Sequence, residues 1–221
     1  MLRAVVFDLD GTLIDSTEAI VQSCYHLFDT LNIERPPRKK VVDSIGYPLI
    51  DQLAILLGEH DDLEHYVDIY REYHKTIASD MTHLLPDVSE TLAAFDNAGL
   101  KMGFATSKKL SASERILEYL GILHYFTSRV GPDEVKHPKP HPEALLRSME
   151  NLEVGADEML FVGDMHFDVK AAQSAGVACI AVTTGYNTRK ELEALEPTAV
   201  CDTLAEAREY VLSHYLADMT T

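Results

Sequence analysis

Long apolar runs are missing from this chain, so no segment offers the roughly 18 consecutive apolar residues of a membrane-spanning helix. The N-terminal stretch carries one arginine and a short apolar run broken by Asp8, which fits neither a signal peptide nor a spanning segment. Cationic residues are scarce: Lys plus Arg is 19 against 36 Asp plus Glu, a formal net charge of −17. That balance argues against nucleic acid or an anionic membrane as the main partner. An anionic substrate would need a local positive feature, because the global field repels it. Cysteine is sparse as well. Cys24, Cys179 and Cys201 lie far apart with no CxxC pair, so the expectation is reduced thiols in a cytoplasmic protein, not a disulfide framework. There is no GxGxxG, no Walker-type loop and no HExxH. The 10 histidines give no metal pattern: His137 and His141 sit in a proline-broken segment, and His60 and His65 lack the spacing of one helix face.

What is present is enough apolar material for a sizeable core. The 221 residues are 46% hydrophobic and 25% charged, which suits one large domain or a core plus an insert. Five apolar runs, AVVFD, KMGFAT, FTSRV, MLFVGD and ACIAVT, predict strands, and AVCD predicts a weaker sixth. They are continuous, not alternating, as in strands covered on both faces. Helical periodicity fills most gaps: 88–97, 112–120, 142–152 and 168–175. Gly99, Gly121 and Gly176 mark helix ends, and Pro86-Asp87 marks a start. Strands alternating with helices predict an α/β fold with a parallel sheet. One part breaks the alternation. From about Asp15 to Thr82 only helices are predicted, at 18–31, 49–57 and 63–77, separated by NIERPPRKK and GEHDD. The RPPRKK run reads as a solvated loop.

Ligands of open parallel sheets bind beyond the carboxyl ends of the strands. The first predicted strand ends in Asp8, with Asp10, Gly11 and Thr12 in the next turn. A second ends in Thr106 and Ser107, where Ser107 is also expected to cap the following helix. A third ends in Asp164, with Asp168 one helical turn later. Lys139 stands just before a helix start, held extended by Pro138 and Pro140, with Lys136 as a nearby rival. Unpaired buried carboxylates are costly. A cation, a helix terminus or a shared proton would offset them, and each of these marks chemistry.

The set Asp8-x-Asp10-Gly11-Thr12, then Thr106, then Lys139 in Lys-Pro-x-Pro, then Gly163-Asp164-x-x-x-Asp168, resembles the four motifs of the haloacid dehalogenase superfamily of phosphohydrolases. Order and spacing agree over essentially the whole chain. The resemblance implies a Rossmann-like core at 1–14 and 83–221, with the helical insert at 15–82 as a cap. GTLIDS, IGYPL, KPHPE and TTGYN look most like the phosphoglycolate phosphatase branch. It further implies Mg2+ held by Asp8, by the backbone carbonyl of Asp10 and by Asp164, with Asp168 near it or touching it. Asp8 would be the nucleophile and Asp10 the acid and base. Thr106, Ser107 and Lys139 would bind phosphate, and Gly11 would let backbone N–H groups approach it.

The chemistry needs such a set. A phosphate monoester carries about two negative charges near neutral pH, and a carboxylate must attack it against repulsion. Mg2+ takes carboxylate and phosphate oxygens together, and catalysis is then largely positioning and charge stabilisation. The expected function is a phosphatase acting on a small phosphorylated metabolite, phosphoglycolate first, through an aspartyl-phosphate, in a monomer or homodimer. A phosphomutase or a pyrophosphatase would use the same aspartates. A phospho-accepting regulatory protein shares the acidic pair, Thr or Ser and Lys, but lacks DxDGT and is shorter than this chain. A descendant that only binds should have lost Asp8 or Asp10. Dehalogenase and phosphonatase chemistry dispense with the second aspartate, which is present here.

Overall fold

Side chains of the first strand point alternately to two different cores, and this sets the architecture. The computed structural model describes residues 1–58 and 62–216. Strand β1 (Ala4–Phe7) is followed by a two-residue strand β2 (Ile14–Asp15) and then by four helices, α1 (Thr17–Thr30), α2 (Arg38–Val42), α3 (Leu49–Leu57) and α4 (Leu63–Ile77). A second two-residue strand, β3 (His83–Leu84), leads back through α5 (Val88–Asn97) to β4 (Lys101–Ala105), α6 (Leu110–Tyr119) and β5 (Phe126–Val130). The chain continues with α7 (Glu143–Leu152), β6 (Met159–Gly163), α8 (His166–Ala175) and β7 (Ala178–Val182). It closes with α9 (Arg189–Glu193), β8 (Ala199–Cys201) and α10 (Leu204–Tyr215).

The main sheet has six strands in the order β5-β4-β1-β6-β7-β8, and its pairs are parallel. On β1, Val5 and Phe7 join one core with Leu92 and Phe95 of α5, Ile116 and Leu117 of α6 and Val211 of α10. Ala4 and Val6 join the other with Leu145 of α7 and Val169 and Ala172 of α8. Period-two alternation divides one strand between the two helical layers. Each fully buried large apolar side chain contributes roughly 1.5–3 kcal/mol, so unbroken apolar runs are what such strands require.

The helices between β2 and β3 have a core of their own. Ile20, Val21, Cys24, Leu27 and Phe28 recur at helical spacing along α1 and pack on Val41, Leu53, Leu56, Val67 and Tyr70. The chain leaves the sheet region and returns to it side by side, because β2 and β3 pair antiparallel through Ile14 with Leu84 and Asp15 with His83. This ribbon was not expected; two residues per strand are too few to show a period.

Other departures are local. RPPRKK is not all loop, since Arg38 to Lys40 open α2. Its charges face solvent, with Arg35 paired to Asp29, Arg38 to Glu18 at 2.8 Å and Lys39 to Asp43 at 2.6 Å. Ser107 does not cap α6, whose N-cap is Lys109. The short α9 and the final α10 were not read from the sequence either. His60 and most of GEHDD lie outside the described residues. Among the described residues no helix is long and apolar enough to cross a membrane.

Candidate active site

The three central strands β4, β1 and β6 end side by side, and their last residues deliver Thr106, Asp8 and Asp164 to one crevice. Asp8, Asp164 and Asp168 are buried, and each offers an oxygen within 4.8 Å of the others. Lys139 completes the group. Its Nζ donates to Asp8 Oδ1 at 2.8 Å and to Asp168 Oδ1 at 2.7 Å. Lys139 is itself buried, whereas Lys136, three residues earlier, is exposed.

The remaining bonds hold these groups still. Asp168, in the first turn of α8, also accepts from the Met165 N–H at 2.9 Å, so both its oxygens are occupied. Asp164 Oδ1 accepts from Thr12 Oγ1 at 2.9 Å and Oδ2 from the Tyr186 N–H at 3.0 Å. Glycines make the room. A Cβ at Gly11, where φ is +89°, would lie 2.5 Å from Asp164 Oδ2, and one at Gly163 would lie 2.5 Å from Asp168. Gly11 was expected to let backbone N–H groups approach phosphate; its own N–H is donated to the Ile14 carbonyl at 2.9 Å. What requires glycine there is the close approach of Asp164.

Asp10 stands apart from the three-carboxylate group. Ser16 Oγ donates to its Oδ1, and Lys108 Nζ lies 3.3 Å from its Oδ2. Thr106 is buried, and its hydroxyl accepts from the Lys108 N–H at 3.1 Å, which leaves its proton free to be donated. Ser107 is half-buried in the wall of the same cleft and makes no side-chain hydrogen bond among the described residues.

Electrostatics define what the crevice lacks. Burial, with Asp168 and Asp10 nearby, pushes Asp8 up to about 7 although Lys139 pulls it down. Burial first, then Asp168 and Asp8, holds Asp164 well above the usual carboxylate range. Burial opposes the charge of Lys139, but Asp168 and Asp8 outweigh it and raise the ammonium above its ordinary range. Three carboxylates and one ammonium leave an excess of two negative charges when all are ionised. A hard divalent cation balances that excess and prefers oxygen donors. The donor set therefore fits Mg2+ in charge and chemistry.

Above the crevice lies a cleft of about 500 Å³ between the sheet and the helical unit. Asp8, Asp10, Thr106 and Lys108 line its floor, and Tyr47, Pro48, Tyr70, Arg71 and His74 line its roof. Tyr47 and Pro48 were legible as part of the IGYPL stretch. Arg71 and His74 were not, because on a surface-exposed amphipathic helix they look like any solvated residue. The exposed histidines His137 and His141 stand with ring centroids 4.8 Å apart.

Comparison with known proteins agrees with this geometry. Residues 5–182 match the family model described as haloacid dehalogenase-like hydrolase. The chain is 33% identical over 219 residues to a phosphoglycolate phosphatase of Vibrio parahaemolyticus, covering 95% of this chain and 96% of that one. It is 32% identical over 205 residues to the pyrophosphatase PpaX of Bacillus cereus, covering 93% and 94%. A solved haloacid dehalogenase-like family hydrolase of Streptococcus pneumoniae superposes with a TM-score of 0.86 at 25% identity, covering 95% of this chain and 98% of that one. With motifs, fold and relatives in agreement, this chain belongs to the haloacid dehalogenase-like hydrolases, as a phosphatase.

Proposed function

We propose that the protein is a Mg2+-dependent phosphatase of a small phosphorylated metabolite, working through an aspartyl-phosphate on Asp8. One observation carries the reading: three buried carboxylates within 4.8 Å of one another share a single ammonium. When bound by Asp8, Asp164 and the Asp10 carbonyl, with Asp168 alongside, Mg2+ would offset the charge between substrate and nucleophile. Asp8 Oδ1 is held by Lys139, so Oδ2 is the oxygen free to attack phosphorus. The ester P–O bond breaks as the Asp8 O–P bond forms, and Asp10 protonates the departing oxygen. Asp10 then takes a proton from water, which attacks phosphorus and returns Asp8 with release of phosphate. Lys139 and the Thr106 hydroxyl stabilise charge on the phosphoryl oxygens.

The segment 15–82 acts as a cap. Its own core and its paired entry and exit strands suit movement as a unit over the cleft. A cleft of about 500 Å³ suits a small leaving group. Phosphoglycolate is the first candidate, since the leaving group needs a cation for its carboxylate. Arg71 and Lys109 line the cleft with no ion pair among the described residues, while Lys108 is engaged by Asp10. The resemblance to PpaX supports inorganic pyrophosphate as a second reading, and the same cations suit it. The test is a panel of phosphorylated metabolites, pyrophosphate included, assayed with Mg2+ and after chelation. Phosphate release from a small ester, abolished by EDTA and restored by Mg2+, is the expected result. Full activity in metal-free buffer excludes the reading.

A further inference from the structure

The loop after β7 follows the residues matched by the family model, 5–182, and contributes none of the four motifs. It nevertheless touches the acidic site at each step. Thr184 Oγ1 donates to the Gly11 carbonyl at 2.7 Å. A Cβ at Gly185 would lie 1.9 Å from Asp164 Oδ2, so the backbone presses against that carboxylate. Tyr186 donates its N–H to the same oxygen at 3.0 Å. Asn187 Oδ1 accepts from the His166 N–H at 2.7 Å, at the first residue of α8.

The side chain of Tyr186 runs the other way. Its hydroxyl lies 3.1 Å from Thr17 Oγ1, the first residue of α1, and its ring packs against the core of the helical unit. Two further contacts join that unit to the segment beside Asp164. A Cβ at Gly46 would meet Met165 Sδ at 2.0 Å, and Tyr47 meets Phe167 edge-on with centroids 4.7 Å apart. The helical unit thus rests on residues next to, or hydrogen-bonded to, one carboxylate. Displacing Thr17 by about 1 Å is enough to weaken its bond to the phenol, since hydrogen bonds fall off steeply with geometry. The strain is passed through one residue to the N–H on Asp164.

We propose that Tyr186 is a positioning residue that couples the seating of the helical unit to the orientation of Asp164, and so to metal affinity. This rests on the proposed function, which puts the cation at Asp164. The test uses Mn2+ as probe, titrated into the full chain and read by the EPR signal of the free ion. Tyr186→Phe keeps the ring and the backbone N–H and loses only the hydroxyl; Thr17→Val loses the partner. Each should weaken Mn2+ binding about fivefold, the effect of one ordinary hydrogen bond. The double variant should be no weaker than either single. Thr17→Ser, which keeps the hydroxyl, should bind as wild type. A merely structural contact would lower the denaturation midpoint and leave Mn2+ affinity alone. Wild-type affinity in both single variants, or strictly additive losses in the double, overturns the coupling. No saturable Mn2+ binding by the wild type, or undiminished binding by Asp164→Asn, overturns the coupling and the proposed metal site together.

Discussion

Lys139 and Asp8 are 131 positions apart in sequence and 2.8 Å apart in space, both buried. No local rule brings them together. The ammonium is the only positive group bonded to the three-carboxylate cluster among the described residues. Removing it leaves buried charge without a partner, which costs several kcal/mol where a buried pair is broken. Lys139→Met should therefore lower unfolding free energy by about 3 kcal/mol and activity by about a hundredfold or more. Lys136→Met, exposed on the same segment, should leave both near wild type. Urea denaturation and initial rates on one phosphate ester check this. Equal effects at the two positions would refute the role given to Lys139.

Asp8→Asn should remove turnover, because an amide cannot form the acyl phosphate. Asp10→Asn should still permit attack while slowing both proton transfers. Mass spectrometry of acid-quenched wild-type enzyme should find phosphate on Asp8. Phosphate trapped on another residue would refute the assignment.

Arg71 lines the roof of the cleft, whereas the reacting groups lie on its floor. Arg71→Ala should raise KM at least about tenfold for esters whose leaving group carries a carboxylate. It should leave kinetics on an uncharged aryl phosphate within about twofold. Equal losses on both substrates would show that Arg71 does not read the leaving group.

His74 predicts a pH effect on stability. Burial, with Lys108 next in weight, lowers it from an ordinary 6.5 to about 3. Its ring contacts Ser23 Oγ at 3.0 Å and stacks on Tyr70. Above pH 6.5 the ring is neutral folded or unfolded, and nothing is lost. As pH falls from 6.5 toward 3, the unfolded chain takes up a proton that the folded one refuses, so stability falls. Between pH 6.5 and 5 the loss from this group is about 2 kcal/mol. His74→Asn should flatten that part of the profile. Equal slopes in urea titrations of the two proteins would show that His74 titrates freely in the fold.

Much of the fold was legible because its signals are local. A strand buried on both faces needs a continuous apolar run, so AVVF, KMGFA and MLFVG announced themselves, and the helical stretch between Asp15 and Thr82 was marked by the absence of such runs. The motif aspartates stood out for the same reason, charges placed at the ends of apolar strands. Only the tertiary structure decided which of them meet. It put Asp168 on Lys139, gave Asp10 to Ser16 and Lys108, spent the Gly11 N–H on Ile14, and brought Arg71, His74 and Tyr186 to the site from unremarkable surroundings. The periodicity of a chain reports which face of an element is buried, whereas the partner across a crevice is set by how whole layers pack, and no single stretch of sequence contains that.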